Sequence, residues 1–230
     1  VDDYFLPRNL TPKDENGEFD FESIDALDVE LLNTHLVDLL NGKEVEIPEF
    51  DFKLGRSEPS GKILKLDRQT ILVIEGIHGL NGFLTFKVPS ESKFQIYISA
   101  LTQLNIDDHN RIPTTDVRLL RRIVRDHQFR GYSALDTLSR WPSVRRGEIK
   151  NIFPHENNAQ IAFNSSLDYE LSVLKSYADP LLRTVKPFHE AYGEAVRLSR
   201  FLDNFVPVPP KYVPSYSILR EFIGDSGFSY

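Results

Sequence analysis

Ile71-Leu72-Val73-Ile74-Glu75-Gly76 is the stretch on which the reading of the fold turns. Four apolar residues in unbroken order, three of them β-branched, offer no polar face to water. The run is expected to be a strand buried on both faces, as in parallel sheets covered by helices. Glu75 and Gly76 end it, which puts an acid at the carboxyl end of the strand, where open α/β sheets collect their ligands.

Phe94–Ser99 reads as a second strand and Ala159–Phe163 as a third. Leu27, Leu31, Leu32, Leu36, Leu39 and Leu40 form a helical apolar stripe that Asn41-Gly42 stops. Residues 43–66 alternate like a small antiparallel ribbon with turns at Gly55 and Ser60-Gly61, and 6–22 read as a surface loop. Val117–Arg130 predicts a two-faced helix, with Leu119, Leu120, Ile123 and Val124 inward and Arg118, Arg121, Arg122 and Arg125 outward. Ser166–Leu182 and Phe188–Phe205 predict two further helices, and an extended tail begins at Pro207. Buried strands alternating with helices imply an α/β fold with a mainly parallel sheet. It would comprise a core at 1–165 and a helical extension with tail at 166–230.

The 230 residues carry a net charge of −7 and no cysteine. That excludes disulfide frameworks, thiol nucleophiles and cysteine metal sites, fits a cytoplasmic protein, and argues against general nucleic-acid binding. No apolar run is long enough to cross a bilayer. The charge is uneven: Arg118–Lys150 holds nine basic residues against Asp126, Asp136 and Glu148, a local excess of six. A patch of that size suits a small polyanion such as a nucleotide.

Arg118, Arg122 and Arg125 fall on one helical stripe, with Arg130 beyond, and guanidinium groups so aligned grip phosphate oxygens. Residues at i−4 from Arg122 and Arg125 are arginines, so phosphate binding competes here with a solvated face paired to Asp126. Asp2 or Asp3 is placed to take a proton from a hydroxyl, and Glu75 to hold Mg²⁺ or orient an acceptor. The six histidines, His78 among them, show no metal spacing and read as surface or packing residues. Trp141 suits either stacking on a base or anchoring the arginine-rich segment.

Five blocks in order resemble the uridine kinase and phosphoribulokinase family of P-loop kinases. They are Asp2–Phe5, Phe19–Asp28, Gly42–Phe52, Ile71–Ile77 and Asp116–Asp126 with Arg130-Gly131. The resemblance implies a P-loop kinase-like fold and transfer of the γ-phosphate of ATP, with Mg²⁺, to a nucleoside-like acceptor. It implies Asp2 as general base, Glu22 toward the ribose, Phe50 and Phe52 around the base, and Glu75 near Mg²⁺ and the phosphates. Arg122, Arg125 and Arg130 would close over the triphosphate, with Arg118 beside them on the helical stripe.

The sequence departs from the family at three acceptor positions. Glu22 replaces an aspartate, Phe50 a tyrosine, and Gly55 stands where a histidine reads the pyrimidine. No GxxxxGK[ST] occurs, so the phosphate loop is expected upstream of Val1, and this stretch alone is expected to be inactive. The alternative is a non-catalytic nucleotide- or RNA-binding regulatory module with a kinase shape. The aromatic tail suits packing on this domain or on a partner subunit, a homo-oligomer included.

Overall fold

In a computed structural model that describes residues 1–15, 17, 19–51 and 54–228, contacts group the chain into two units. The first is Val1–Tyr97 with Arg145–Ala162, and the second is Ile98–Val144 with Phe163–Tyr230. Each has its own apolar core.

In the first unit, helix α1 (Val29–Leu40) starts where the Asp28 carboxylate accepts from the Leu31 N–H at 2.9 Å, a side-chain cap on an otherwise orphan donor. Leu32 and Leu36 turn inward and pack with Tyr4, Leu27, Val29 and Leu84. Asn33 is fully buried in this layer and satisfied: its amide donates to the carbonyls of Val29 (2.7 Å) and Leu84 (3.0 Å) and accepts from the Lys87 N–H (2.9 Å). Gly42, at φ 73°, ends the helix in the left-handed region.

Strands β1 (Val45–Asp51) and β2 (Arg56–Leu64) form the expected antiparallel ribbon. Gly55 makes the turn at φ 68°. Ser60-Gly61 is not a turn but an irregularity within β2. The register shifts opposite Ile47/Pro48, and the Ser60 hydroxyl donates to the Ile47 carbonyl.

Ile71–Ile74 departs from expectation. The segment is extended but belongs to no strand, and only alternate residues are covered. Leu72 and Ile74 pack against the first core, whereas Ile71 and Val73 are 86% and 81% exposed. A strand covered on both faces needs a neighbour along each edge and a layer on each side. Among the described residues this run has cover on one side only.

Strands β3 (Ile96–Ser99) and β4 (Ile161–Asn164) run parallel, with Gln160 N–H to Gln95 O at 3.0 Å and Ser165 N–H to Ser99 O at 2.8 Å. With six α-helices among the described residues, the architecture is mixed α/β.

The second unit is mainly helical. Helix α2 (Thr114–Arg130) buries Val117, Leu119, Leu120, Ile123 and Val124 and ends at Gly131, φ 68°. Helix α3 (Ala134–Asn151), whose residues from Arg145 on belong to the first unit, opens with a reciprocal cap: the Asp136 carboxylate accepts from the Ser133 N–H (2.9 Å), and the Ser133 hydroxyl accepts from the Asp136 N–H (3.2 Å). Helices α4 (Glu170–Leu182) and α5 (Tyr192–Leu202) supply Leu171, Leu174, Leu198 and Leu202 to the same core. The tail joins it too: Val213, Leu219, Phe222 and Ile223 are buried, the last two in helix α6 (Arg220–Ile223).

Arg121 does not join the outward stripe. It is buried, and all its donor nitrogens are met. Nε donates to Glu170 Oε2 at 2.6 Å, and the two terminal nitrogens donate to the Ser165 hydroxyl (3.2 Å) and carbonyl (2.6 Å). The guanidinium also lies over the Phe222 ring, 5.1 Å from its centroid. Glu170 spends its other oxygen on the Leu167 N–H at 3.0 Å. Removing one partner of such a pair leaves a buried charge unopposed, at a cost of about 3–5 kcal/mol. Glu170→Gln should therefore lower unfolding free energy in urea by about that much. A loss below about 1 kcal/mol, the worth of an exposed pair, would mean that the pair is not holding α2.

Candidate functional site

The residues expected around an acceptor lie in the first unit. Asp2 sits in a 3-10 turn (Asp2–Tyr4) with its side chain exposed. It lines a small cavity with Phe5, Phe21, Ser23, Ile77 and His78. Glu75 is exposed and precedes Gly76, whose Cα approaches Val1 so closely that an added Cβ would lie 3.5 Å from the Val1 side chain. The chain around Glu75 is thereby brought beside the Asp2 turn.

Glu22 is half-buried. Its carbonyl accepts from the Asn151 amide at 2.8 Å, and its carboxylate rests on Gly147, where an added Cβ would fall 1.4 Å from Oε2. The neighbouring Asp20 pairs with Lys150 at 2.8 Å. Together these contacts fix the 20–22 loop on the end of α3. Phe50 is buried, tilted against Phe5 with ring centroids 5.7 Å apart. Phe52 lies outside the described residues. At Gly55 the stem of Arg8 passes where a side chain would project, 2.6 Å from an ideal Cβ. A side chain at this left-handed position would have to displace the Arg8 stem.

His78, which the sequence suggests is incidental, is only 5% exposed, and neither ring nitrogen has a hydrogen-bond partner. Burial, the leading cause, pushes its pKa down and His155 adds to this, while the Glu22 backbone, Asp20 and Asp25 pull the other way. The Glu22 carbonyl acts on the ring without closing a hydrogen bond of ordinary geometry. The signal in the sequence is its setting, a lone polar ring in Gly76-Ile77-His78-Gly79-Leu80.

The arginines lie in the second unit, on α2. Asp126, buried, is their hub: it receives Arg122 Nε at 3.3 Å and Arg130 at 3.3 Å, with Arg125 Nε 3.6 Å away. The Thr137 hydroxyl donates to it at 3.4 Å. The partner absent at i−4 from Arg122 is thus present at i+4, and the pairing reading holds for Arg122 and Arg130. The hub leaves an excess of positive charge, because one carboxylate faces three guanidiniums. Arg125 shows it most. Its Nε is buried without a hydrogen bond, and Glu221 stands 4.0 Å off. Burial, then repulsion from Arg130 and Arg122, weakens its hold on its proton. Arg118 is half-buried one turn earlier on the helix. Trp141 packs partly buried against the second core, the anchoring role.

Among the described residues, no group of three or more His, Cys, Asp or Glu can hold a metal ion. Glu75 offers a single exposed carboxylate. That suits Mg²⁺ arriving on phosphate oxygens, which needs one or two protein carboxylates and no protein cage.

Residues 8–172 match the model of the Phosphoribulokinase / Uridine kinase family. The chain belongs to this family. It is 25% identical over 145 residues to the uridine kinase of Brevibacillus brevis, covering 63% of this chain and 59% of that protein. With the uridine kinase of Halobacterium salinarum it shares 28% over 207 residues, 90% of this chain and 65% of the other. With that of Chloroflexus aurantiacus it shares 24% over 163 residues, 70% and 69%. The chain thus spans about three fifths to two thirds of the length of these kinases. No helix among the described residues is long and apolar enough to cross a membrane.

This kinase-family chain carries an acid-sensitive element in its first unit. Burial lowers the pKa of both His35 and His78 from 6.5. An unfolded chain then binds more protons than the folded one below pH 6.5, so stability falls with pH in that range. Urea midpoints should drop between pH 7 and pH 5, and His78→Gln should flatten the drop. A midpoint that rises on acidification would contradict the burial of these rings.

Proposed function

We propose that the protein is an ATP-dependent nucleoside kinase, moving the γ-phosphoryl group of ATP to a hydroxyl of a nucleoside or similar small acceptor. The observation that carries this reading is the arginine cluster, three guanidiniums around one carboxylate in a chain of a kinase family. A polyphosphate is the ligand that such an excess attracts, and phosphoryl transfer rests on positioning and charge neutralisation.

The Asp2 carboxylate takes the acceptor's hydroxyl proton as that oxygen bonds to the γ-phosphorus. The bond to the β–γ bridging oxygen breaks, and its electron pair leaves with ADP. Arg118, Arg122, Arg125 and Arg130 hold the triphosphate, and Glu75 offers an oxygen to the Mg²⁺ that ATP carries. That ion, when bound, offsets phosphate charge. Glu22, Phe50 and Phe52 border the acceptor. With phenylalanine at 50 and glycine at 55, the hydroxyl and the imidazole that would read a base are gone, so selection falls on the sugar hydroxyls. A cytoplasmic location, where ATP and Mg²⁺ are plentiful, fits this chemistry.

In the full-length protein, Asp2→Asn should lower kcat by about 10²-fold, the usual worth of a positioned base, with the KM for ATP little changed. Nucleoside-dependent ADP release measures it, and a variant within about threefold of wild type removes Asp2 from the mechanism. Arg125→Ala should raise the KM for ATP about tenfold, a charge-assisted hydrogen bond's worth, while the melting temperature stays nearly unchanged. A sharply lowered melting temperature with an unaltered KM would make Arg125 structural and favour the regulatory-module reading.

A further inference from the structure

The cavity beside Asp2 offers about 30 Å³ to a water-sized group, room for one hydroxyl or water. Its wall is mostly apolar, with Phe5, Phe21, Leu27 and Ile77, and its polar groups are few: Asp2, Ser23 and His78. The Ser23 hydroxyl already accepts from the Asp25 N–H at 3.2 Å. The Glu22 carbonyl, near the His78 ring, takes its hydrogen bond from Asn151. His78 is therefore the buried polar group on this cavity whose two nitrogens are both unengaged.

We propose that His78 binds the acceptor in this cavity, its ring N–H donating to the hydroxyl oxygen that Asp2 deprotonates, and that the cavity takes the primary-alcohol end of a nucleoside-like polyol. The inference rests on the kinase reading above. A carboxylate accepts a hydrogen bond and gives none, so Asp2 alone holds the acceptor's proton but leaves its oxygen unanchored. A neutral imidazole supplies the missing donor. Burial, with His155 beside it, lowers the proton affinity of the ring against the pull of the Glu22 backbone, Asp20 and Asp25, and so favours the neutral form at pH 7. Neutrality matters, because an imidazolium beside Asp2 would weaken that carboxylate as a base. The apolar wall keeps water from the His78 side of the cavity, while Asp2 opens to solvent on the other. A histidine thus enters the acceptor site from the segment after Glu75, in a chain where the ribbon turn carries Gly55 instead.

The test uses the full-length protein and three variants, His78→Leu, His78→Asn and His78→Gln. His78→Leu should raise the acceptor KM about tenfold, the worth of one hydrogen bond, with the KM for ATP unchanged. Asn or Gln, which restore a donor near one ring nitrogen or the other, should recover most of it. An unchanged acceptor KM in His78→Leu overturns the proposal, as does a loss that neither amide repairs. A second readout does not depend on catalysis or on the variants folding: the ¹⁵N signals of the His78 ring, followed as uridine and then ribose are added without ATP. A shift supports the proposal, and still signals on saturation overturn it. Should wild type phosphorylate no nucleoside, the kinase reading falls by itself, and the ring signals decide whether His78 binds the polyol.

Discussion

A guanidinium inside a hydrocarbon core is tolerable only when its N–H groups are answered, and Arg121 meets that condition through Glu170 and Ser165. The pair joins α2 to α4 at a point where Phe222 of α6 also covers the ring. A second tie, Arg197 of α5 gripping Asp116 with two bonds of 2.7 and 2.8 Å, holds the start of α2. The helix that carries Arg118, Arg122, Arg125 and Arg130 is thus fixed on its inner side by residues far along the chain. These ties add polar anchors to the apolar face of Val117, Leu119, Leu120, Ile123 and Val124 that already turns α2 inward.

That fixed helix resolves an electrostatic conflict on its outer side. Arginines one turn apart repel, and Asp126 relieves Arg122 and Arg130 by hydrogen bonds at 3.3 Å each. Arg125 is left with a buried Nε that no acceptor meets. The result is partial pairing: two guanidiniums are answered, and positive charge is left over at the third. In the first unit the same economy appears with opposite sign, where a buried neutral imidazole stands beside an exposed carboxylate.

Helices α1, α2, α4 and α5 were legible in the sequence because their apolar spacing is strict, and Asn41-Gly42 marks the end of α1. The ribbon was legible from its alternation and from Gly55. Residues 71–74 misled, since an unbroken apolar run specifies burial without specifying a neighbour, and here only Leu72 and Ile74 find one. Helix α3 went unread although Ser133-Ala134-Leu135-Asp136 carries its capping pattern. In the candidate site, the arginine stripe could be read from periodicity. The inward turn of Arg121 could not, because its partners lie 44 and 49 residues away. The burial of His78 was likewise invisible, as it depends on contacts that no local pattern encodes.

Hydrogen exchange along α2 in the nucleotide-free protein tests the account most directly. A helix clamped by Arg121–Glu170 and Asp116–Arg197 should exchange its amides from Val117 to Val124 only through global unfolding, as core elements do. Protection there should match the slowest amides of α4. Rapid exchange of these amides before any nucleotide is added would show α2 to be a loose flap, and the claim that the protein presents its arginines from a fixed platform would be wrong.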